Sequence, residues 1–111
     1  FHSPLMAPAA VTMVQALDAA QLAAPLVPLV ANVSASATRN PIEIKRLLVE
    51  QVTAMVRWRE SVLLLAASGV EEVVEIGAGR VLAGLVKRTV PALATRSVGT
   101  AAELETFMKD L

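Results

Sequence analysis

Apolar and polar positions follow one another in blocks whose lengths are those of helices and short strands. Ser3 and Pro4 form a typical helix start. Residues 4–22 then carry apolar side chains at intervals of four, at Leu5, Ala9, Met13 and Leu17. This spacing predicts an amphipathic helix. Residues 27–33 (VPLVANV) are a short, β-branched apolar run, which predicts a buried strand.

The same alternation continues along the rest of the chain. After a polar, turn-rich loop over residues 34–41, the pattern predicts helices at 42–52, 56–68, 80–88 and 101–111. Short strands are predicted at 73–76 and 96–98. The order helix, strand, two helices, strand, helix, strand, helix indicates an α/β fold with a mostly parallel sheet.

Composition adds limits on size and partners. The 111 residues have the length of one small domain. Apolar residues make up 55% of the chain and charged residues 18%, against usual values of ~45–50% and ~25%, so the chain buries much of itself or belongs to something larger. Ten basic and ten acidic residues give zero net charge, which argues against a nucleic-acid partner. With no Cys and one His, no disulfide and no metal site is predicted.

An uncharged stretch at residues 19–38 raises the question of a membrane span. Pro25, Pro28 and Asn32 interrupt it, so we predict no membrane contact. No secretory signal is recognisable, and a cytoplasmic location is expected. The chain starts without Met and inside a motif, which leads us to expect a missing segment ahead of it.

His2 is the only histidine and stands just before the predicted first helix. A surface or capping role is the ordinary interpretation of a single histidine. However, a helix N-terminus disfavours imidazolium by up to ~1 kcal/mol, and a neutral imidazole suits a general base. No serine stands in a G-x-S-x-G elbow, and Ser3 is better explained as a cap. A catalytic His2 therefore requires a nucleophile from outside these residues.

The glycine-rich segment Gly77-Ala78-Gly79, between a predicted strand and a predicted helix, has the position of a phosphate-binding loop. The dinucleotide fingerprint requires a glycine where Leu82 stands, and no G-x-x-x-x-G-K-[ST] motif occurs. A tight strand-to-helix turn is the favoured interpretation.

Five further side chains have an ordinary structural interpretation, and three of them, Asn32, Lys87 and Arg88, also have a functional one. Gln51 near a helix end is most simply a solvated residue, and Trp58 a packing anchor. Asn32 lies in an apolar run and must find hydrogen-bond partners, so it braces a loop or lines a site. Lys87 and Arg88 complement a helix dipole, the alternative being contact with a coenzyme phosphate.

Several stretches together resemble a known family. They occur in the order FHSPLM, an Ala-rich helix, VPLVANVSA, a helix ending in Gln51, MVRWRESV and the strand-turn-helix VEEVVEIGAGRVLAGLVKR. This ordered set is similar to the carboxy-terminal part of malonyl-CoA:acyl carrier protein transacylases and of the acyltransferase domains of polyketide and fatty-acid synthases. The resemblance runs from Phe1 to about Arg88 and is weaker after Pro91. It implies that residues 1–111 are the carboxy-terminal segment of an α/β-hydrolase-like acyltransferase core with a parallel sheet and flanking helices.

The resemblance also implies roles for individual residues. His2 matches the histidine that activates a serine nucleophile, and Gln51 matches the glutamine whose backbone carbonyl orients that histidine. Asn32 matches an asparagine near the active site. Phe1 matches the residue that, as phenylalanine, accompanies malonyl rather than methylmalonyl specificity. A ring there fills the space of an extra methyl group, an effect of ~1–3 kcal/mol.

The implied reaction transfers malonyl from coenzyme A to the phosphopantetheine thiol of acyl carrier protein through a seryl acyl-enzyme. Malonyl-CoA and acyl carrier protein are then the partners, with a coenzyme A thioester as substrate and no permanently bound cofactor. The serine, the carboxylate-binding arginine, the oxyanion-hole donors and a ferredoxin-like subdomain belong to an amino-terminal portion outside this sequence. The segment alone is therefore predicted to be inactive.

The sequence departs from the family pattern at two points. The family often has G-P-G where this chain has Gly77-Ala78-Gly79, and Asn-Pro where it has Ala54-Met55. Two other functions remain open. One is a non-catalytic remnant that docks a carrier protein, with His2 as a capping residue. The other is a different α/β-hydrolase-like acyl enzyme such as an esterase, against which the missing acid partner for His2 speaks.

Overall fold

A computed structural model describes residues 2–111, so Phe1 lies outside the described residues. The chain divides into two compact units, Phe1–Ser61 and Val62–Leu111. We refer to them as the first and the second unit. The boundary falls within one helix, Trp58–Ala67.

The first unit begins with a short 3-10 helix, Pro4–Met6, which leads into α1 (Ala7–Ala19). The Ser3 hydroxyl accepts a hydrogen bond from the Leu5 N–H, which confirms the predicted cap. The predicted helix over residues 4–22 is thus tighter in its first turn and three residues shorter at its end. Among the described residues of α1, none is buried.

Two short antiparallel strands follow, β1 (Leu29–Val30) and β2 (Ala37–Thr38). The buried strand predicted over residues 27–33 is reduced to two residues, both half-buried. Pro28 has no N–H to donate, which limits the ladder at that side. β2 lies where the sequence predicted only a loop.

The helix α2 (Pro41–Glu50) forms the core of the first unit. Asn40 caps it by accepting the N–H groups of Ile42 and Glu43 at 3.0 and 3.4 Å. The buried apolar side chains of this unit are Ala31, Ile44, Leu47 and Val52. After the turn that follows α2, the chain enters α3 (Trp58–Ala67).

The second unit contains a parallel strand pair joined by a helix. β3 (Glu72–Ile76) pairs with β4 (Ala94–Val98) from Glu72↔Ala94 to Ile76↔Val98. The connecting helix α4 spans Val81–Thr89, and α5 (Ala101–Lys109) follows β4. This β-α-β arrangement confirms the predicted α/β class with a parallel sheet and flanking helices. The buried apolar side chains of this unit are Val62, Val86, Leu93 and Val98.

None of the helices in residues 2–111 combines the length and the apolar character needed to cross a membrane.

Candidate active site

The chain at the C-terminal end of α2 holds both the backbone and the ring of His2. The His2 N–H donates to the Val52 carbonyl oxygen at 2.9 Å. The ring Nδ1 lies 2.7 Å from the Gln51 carbonyl oxygen. Carbonyl groups at the end of a helix lack partners within it and are ready acceptors. Two hydrogen bonds therefore fix one histidine against one helix end.

This contact defines how the imidazole is protonated. Because a carbonyl oxygen only accepts, the His2 Nδ1 must carry the proton of that hydrogen bond. In the neutral ring, the lone pair then lies on Nε2, on the exposed His2 side chain. A backbone carbonyl thus occupies the place that a carboxylate has in a Ser-His-Asp triad.

The backbone of His2 adopts a left-handed conformation, with φ at 59°. For a residue with a Cβ, this conformation costs roughly 1–2 kcal/mol. The hydrogen bond to the Val52 carbonyl helps to hold it in place. Such outliers concentrate at functional sites, where surrounding contacts maintain them.

Asn32 joins the same cluster through the side chain of Gln51. The Asn32 Nδ2 donates to the Gln51 Oε1 at 3.2 Å, and both residues are half-buried. Gln51 therefore contacts His2 with its main chain and Asn32 with its side chain. Three of the four site residues singled out in the sequence lie together, and the fourth, Phe1, lies outside the described residues.

Arg57 also contacts this cluster, and the sequence did not single it out. Its N–H donates to the Asn32 carbonyl at 2.8 Å, and its Nη1 donates to the Ser34 carbonyl at 3.0 Å. Its Nε and Nη2 donate to the two carboxylate oxygens of Glu60 at 2.6 and 2.7 Å. This paired hydrogen bond lowers the pKa of Glu60 and raises that of Arg57. In the sequence, only the i,i+3 spacing of Arg57 and Glu60 indicated this ion pair.

The glycine-rich turn Gly77-Ala78-Gly79 is a tight connection between β3 and α4. Gly77 and Gly79 have φ values of 138° and 91°, which other residues rarely adopt. At the start of α4, the Leu82 and Ala83 N–H groups donate to the Glu75 carboxylate at 3.2 and 2.8 Å. A carboxylate therefore occupies the helix N-terminus that a phosphate-binding loop offers to its ligand.

The remaining candidates fit their ordinary interpretations. Lys87 and Arg88 are exposed in the last turn of α4, where they complement the helix dipole. Trp58 is half-buried at the start of α3, and its indole Nε1 is buried without a hydrogen-bond partner among the described residues. Within residues 2–111, no cluster of three or more His, Asp or Glu side chains is arranged to hold a metal ion.

Comparison with known proteins shows which proteins the chain resembles. No protein-family model matches the chain. The malonyl CoA-acyl carrier protein transacylase of Bacillus subtilis (strain 168) is 40% identical over 111 residues, which is 100% of this chain and 35% of that protein. The enzyme of the same name from Synechocystis is 38% identical over 107 residues, 96% of this chain and 36% of that protein. The chain is homologous to the malonyl CoA-acyl carrier protein transacylases.

Solved structures of such transacylases share its fold. The acyl-carrier-protein-S-malonyltransferase of Bartonella henselae matches 99% of this chain with a TM-score of 0.88 and 46% identity. A malonyl-transacylase in complex with its type II PKS acyl-carrier protein matches 99% of it with a TM-score of 0.84 and 36% identity. The chain spans about a third of these transacylases, 35% and 36% of their length. The family resemblance predicted from the ordered motifs is confirmed.

Proposed function

We propose that the chain is the carboxy-terminal part of a malonyl-CoA:acyl carrier protein transacylase, and that His2 is its general base. The observation that carries the proposal is the hydrogen bond from the His2 Nδ1 to the Gln51 carbonyl, 2.7 Å long. It leaves the lone pair of the neutral ring on Nε2, which is the nitrogen that a general base uses. Homology to transacylases along the whole chain supplies the reaction.

The proposed reaction has two transfers with the same base. In the first, the His2 Nε2 takes the proton of a serine hydroxyl supplied by the amino-terminal part of the enzyme, while the serine oxygen attacks the malonyl thioester. The carbon–sulfur bond breaks, and the proton passes to the sulfur of coenzyme A. In the second, the ring takes the proton of the carrier-protein thiol, whose sulfur attacks the acyl-serine. The serine recovers its proton from the ring.

The Gln51 carbonyl contributes to this reaction by holding the His2 ring in one orientation through both transfers. When Nε2 gains the serine proton, the ring becomes a cation, and the nearby carbonyl dipole stabilises it. Asn32, bonded to Gln51, and Phe1 are proposed to line the acyl pocket. The coenzyme A thioester is a substrate, and acyl carrier protein is the acceptor, as expected for a cytoplasmic fatty-acid or polyketide pathway.

The test uses the complete enzyme that contains this chain. His2→Ala is expected to lower malonyl transfer to the carrier-protein thiol by ~10²–10⁴-fold, the usual contribution of a general base. His2→Asn is the second variant, because asparagine also tolerates the left-handed backbone of this position. Equal losses in both variants attribute the effect to the imidazole and not to the backbone.

Intact-mass measurement of the enzyme after mixing with malonyl-CoA follows the acyl-serine directly. Wild-type protein is expected to gain one malonyl group rapidly and the two variants slowly. Arg46→Ala is a matched control, since it removes an exposed arginine that pairs with Glu50 at 2.7 Å and with Glu43 at 3.9 Å. Unchanged transfer in His2→Ala and His2→Asn would refute the assignment and favour a docking role without catalysis.

A further inference from the structure

The turn that carries Asn32 is an unusual piece of backbone. The Ala35 N–H donates to the Ala31 carbonyl at 2.9 Å, which closes the turn over residues 31–35. Ala35 has a φ of 48°, a left-handed conformation that costs roughly 1–2 kcal/mol for a residue with a Cβ. A turn under such strain keeps its shape only where other contacts hold it.

Arg57 supplies these contacts from two sides. Its N–H binds the Asn32 carbonyl at 2.8 Å, and its guanidinium Nη1 binds the Ser34 carbonyl at 3.0 Å. The two acceptors are two residues apart and lie in the turn just before the strained residue Ala35. Glu60 accepts two hydrogen bonds from the guanidinium, at 2.6 and 2.7 Å. These bonds fix its orientation, so that the remaining donor, Nη1, is held toward the Ser34 carbonyl.

Two hydrogen bonds connect this turn to the histidine. The Asn32 side chain donates to the Gln51 side chain at 3.2 Å, and the Gln51 carbonyl accepts the His2 ring at 2.7 Å. A shift of the turn moves the Asn32 amide and, with it, the glutamine. We propose that Arg57 is a positioning residue for His2, which acts through the turn 31–35 and the Asn32–Gln51 hydrogen bond. This inference rests on the proposed function.

Only part of the Arg57 contact depends on its side chain. The N–H that binds the Asn32 carbonyl is present in every residue except proline, whereas the bond to the Ser34 carbonyl needs the guanidinium. A lysine reaches a carbonyl with a single ammonium group but lacks the two-pronged contact with Glu60. The variant Arg57→Ala therefore removes the side-chain part of this support, the bond to the Ser34 carbonyl, and Arg57→Lys weakens it, while the backbone bond to the Asn32 carbonyl remains in both.

The experiment measures kcat, KM and the His2 ring proton in the complete enzyme. For Arg57→Ala we expect kcat to fall ~10-fold or more, since small displacements of a reacting group cost up to ~10²-fold. The KM for malonyl-CoA is expected to change less than kcat, because Arg57 supports the base and meets the acyl pocket only indirectly, through Asn32. Arg57→Lys is expected to lie between Arg57→Ala and wild type.

The Nδ1–H resonance of His2 in the NMR spectrum reports its position independently of activity. In Arg57→Ala it is expected to broaden or exchange faster with water, and in Arg57→Lys to recover in part. Arg46→Ala is the matched control, because it breaks another Arg–Glu pair of similar length, 2.7 Å, in the same unit. A merely structural loss in Arg57→Ala lowers the amount of folded enzyme and leaves kcat per folded site unchanged.

The outcomes separate the inference from the proposed function. An unchanged kcat and an unchanged Nδ1–H signal in Arg57→Ala, with transfer abolished in His2→Ala, overturn the inference alone. Unchanged transfer in His2→Ala refutes the function, and the ring signal then still decides whether Arg57 positions His2. If Arg57→Ala does not fold, wild-type values of kcat and of the ring signal in both Arg57→Lys and Glu60→Gln overturn the inference.

Discussion

Gln51 holds two neighbours with two different groups, and the difference matters for mutagenesis. Its main-chain carbonyl binds the His2 ring, and its side-chain oxygen binds Asn32. Substitution of the side chain leaves the carbonyl in place. Substitution of Gln51 by alanine therefore removes only one of the two hydrogen bonds, the one between its side chain and Asn32.

For Gln51→Ala we accordingly expect a moderate effect. The carbonyl that binds His2 is kept, while the support from Asn32 is lost, so transfer should fall ~10-fold, well short of the loss in His2→Ala. Initial rates of malonyl transfer with the three enzymes in parallel test this order. A loss in Gln51→Ala as large as that in His2→Ala would show that the side chain, and not the carbonyl, is the essential part.

Phe1 gives a prediction about specificity that rests on the resemblance. Phe1→Ser in the complete enzyme removes the ring proposed to fill the space of an extra methyl group. We expect the preference for malonyl-CoA over methylmalonyl-CoA to fall by ~10-fold or more, in line with ~1–3 kcal/mol for one such group. The ratio of kcat/KM for the two thioesters is the measurement, and a constant ratio removes Phe1 from the account of specificity.

The sequence indicated His2, Gln51 and Asn32 as site residues because they lie in recognisable stretches. Arg57 also lies in such a stretch, but its role depends on carbonyl groups 23 and 25 residues earlier in the chain. Contacts to backbone carbonyls leave no mark on the sequence of the acceptor, since every residue carries one. Such positioning residues emerge only from the folded structure.

At the scale of elements, locally encoded features were predicted well. The Ser3 cap and the helix predicted at 42–52, observed as Pro41–Glu50, follow from residues adjacent in sequence. β2 was missed because its pairing with β1 is a tertiary contact between two-residue strands. The cap of α4 was missed for the same reason, since Glu75 reaches it from the preceding strand.

A carboxylate at the start of α5 makes the stability of that helix dependent on pH. The Glu103 carboxylate accepts the Gly99 and Thr100 N–H groups at 2.7 and 3.2 Å, and its N–H binds the Thr100 hydroxyl. Chiefly through the Gly99 hydrogen bond, the pKa of Glu103 lies below its ordinary value of 4.5. A lowered pKa means that the charged carboxylate stabilises the folded form. This contribution is complete above pH 4.5 and is lost as the pH falls through the lowered pKa.

We therefore expect the amides of α5 to exchange faster with solvent as the pH is lowered below about 4.5, after correction for intrinsic exchange. Glu103→Gln should remove most of this pH dependence and weaken α5 near neutrality. Glu105→Gln, two positions further along the same helix, is the control for loss of a carboxylate elsewhere. Identical pH profiles in wild type and Glu103→Gln would contradict the prediction.

At the scale of the whole chain, many large apolar side chains face solvent. Leu26, Leu5 and Leu111 are 93%, 89% and 84% exposed. In the first unit, a groove of about 650 Å³ between α1 and α2 is lined in part by apolar residues, among them Val14, Leu17 and Ile42. Exposed apolar surface of this extent is typical of a surface that another protein segment covers.

The isolated 111-residue chain is accordingly expected to bind a hydrophobic dye such as ANS more strongly than an ordinary globular protein of its size. Addition of the amino-terminal part of the same enzyme should lower the fluorescence. Ile42→Glu, at a side chain 80% exposed, should reduce dye binding without disturbing the buried core. Dye fluorescence at the level of a fully folded globular standard would contradict the expectation.

His2 and Gln51 are 49 positions apart in the sequence, which has a consequence for how the site forms during synthesis. On the ribosome, His2 emerges long before its acceptor, and Arg57 follows later still. At roughly 5–20 residues per second, the histidine waits several seconds for the carbonyl that orients it. Closing a loop of this length also carries an entropic cost that local contacts do not. The proposed base should therefore become competent only after the rest of the first unit has been synthesised and folded around it.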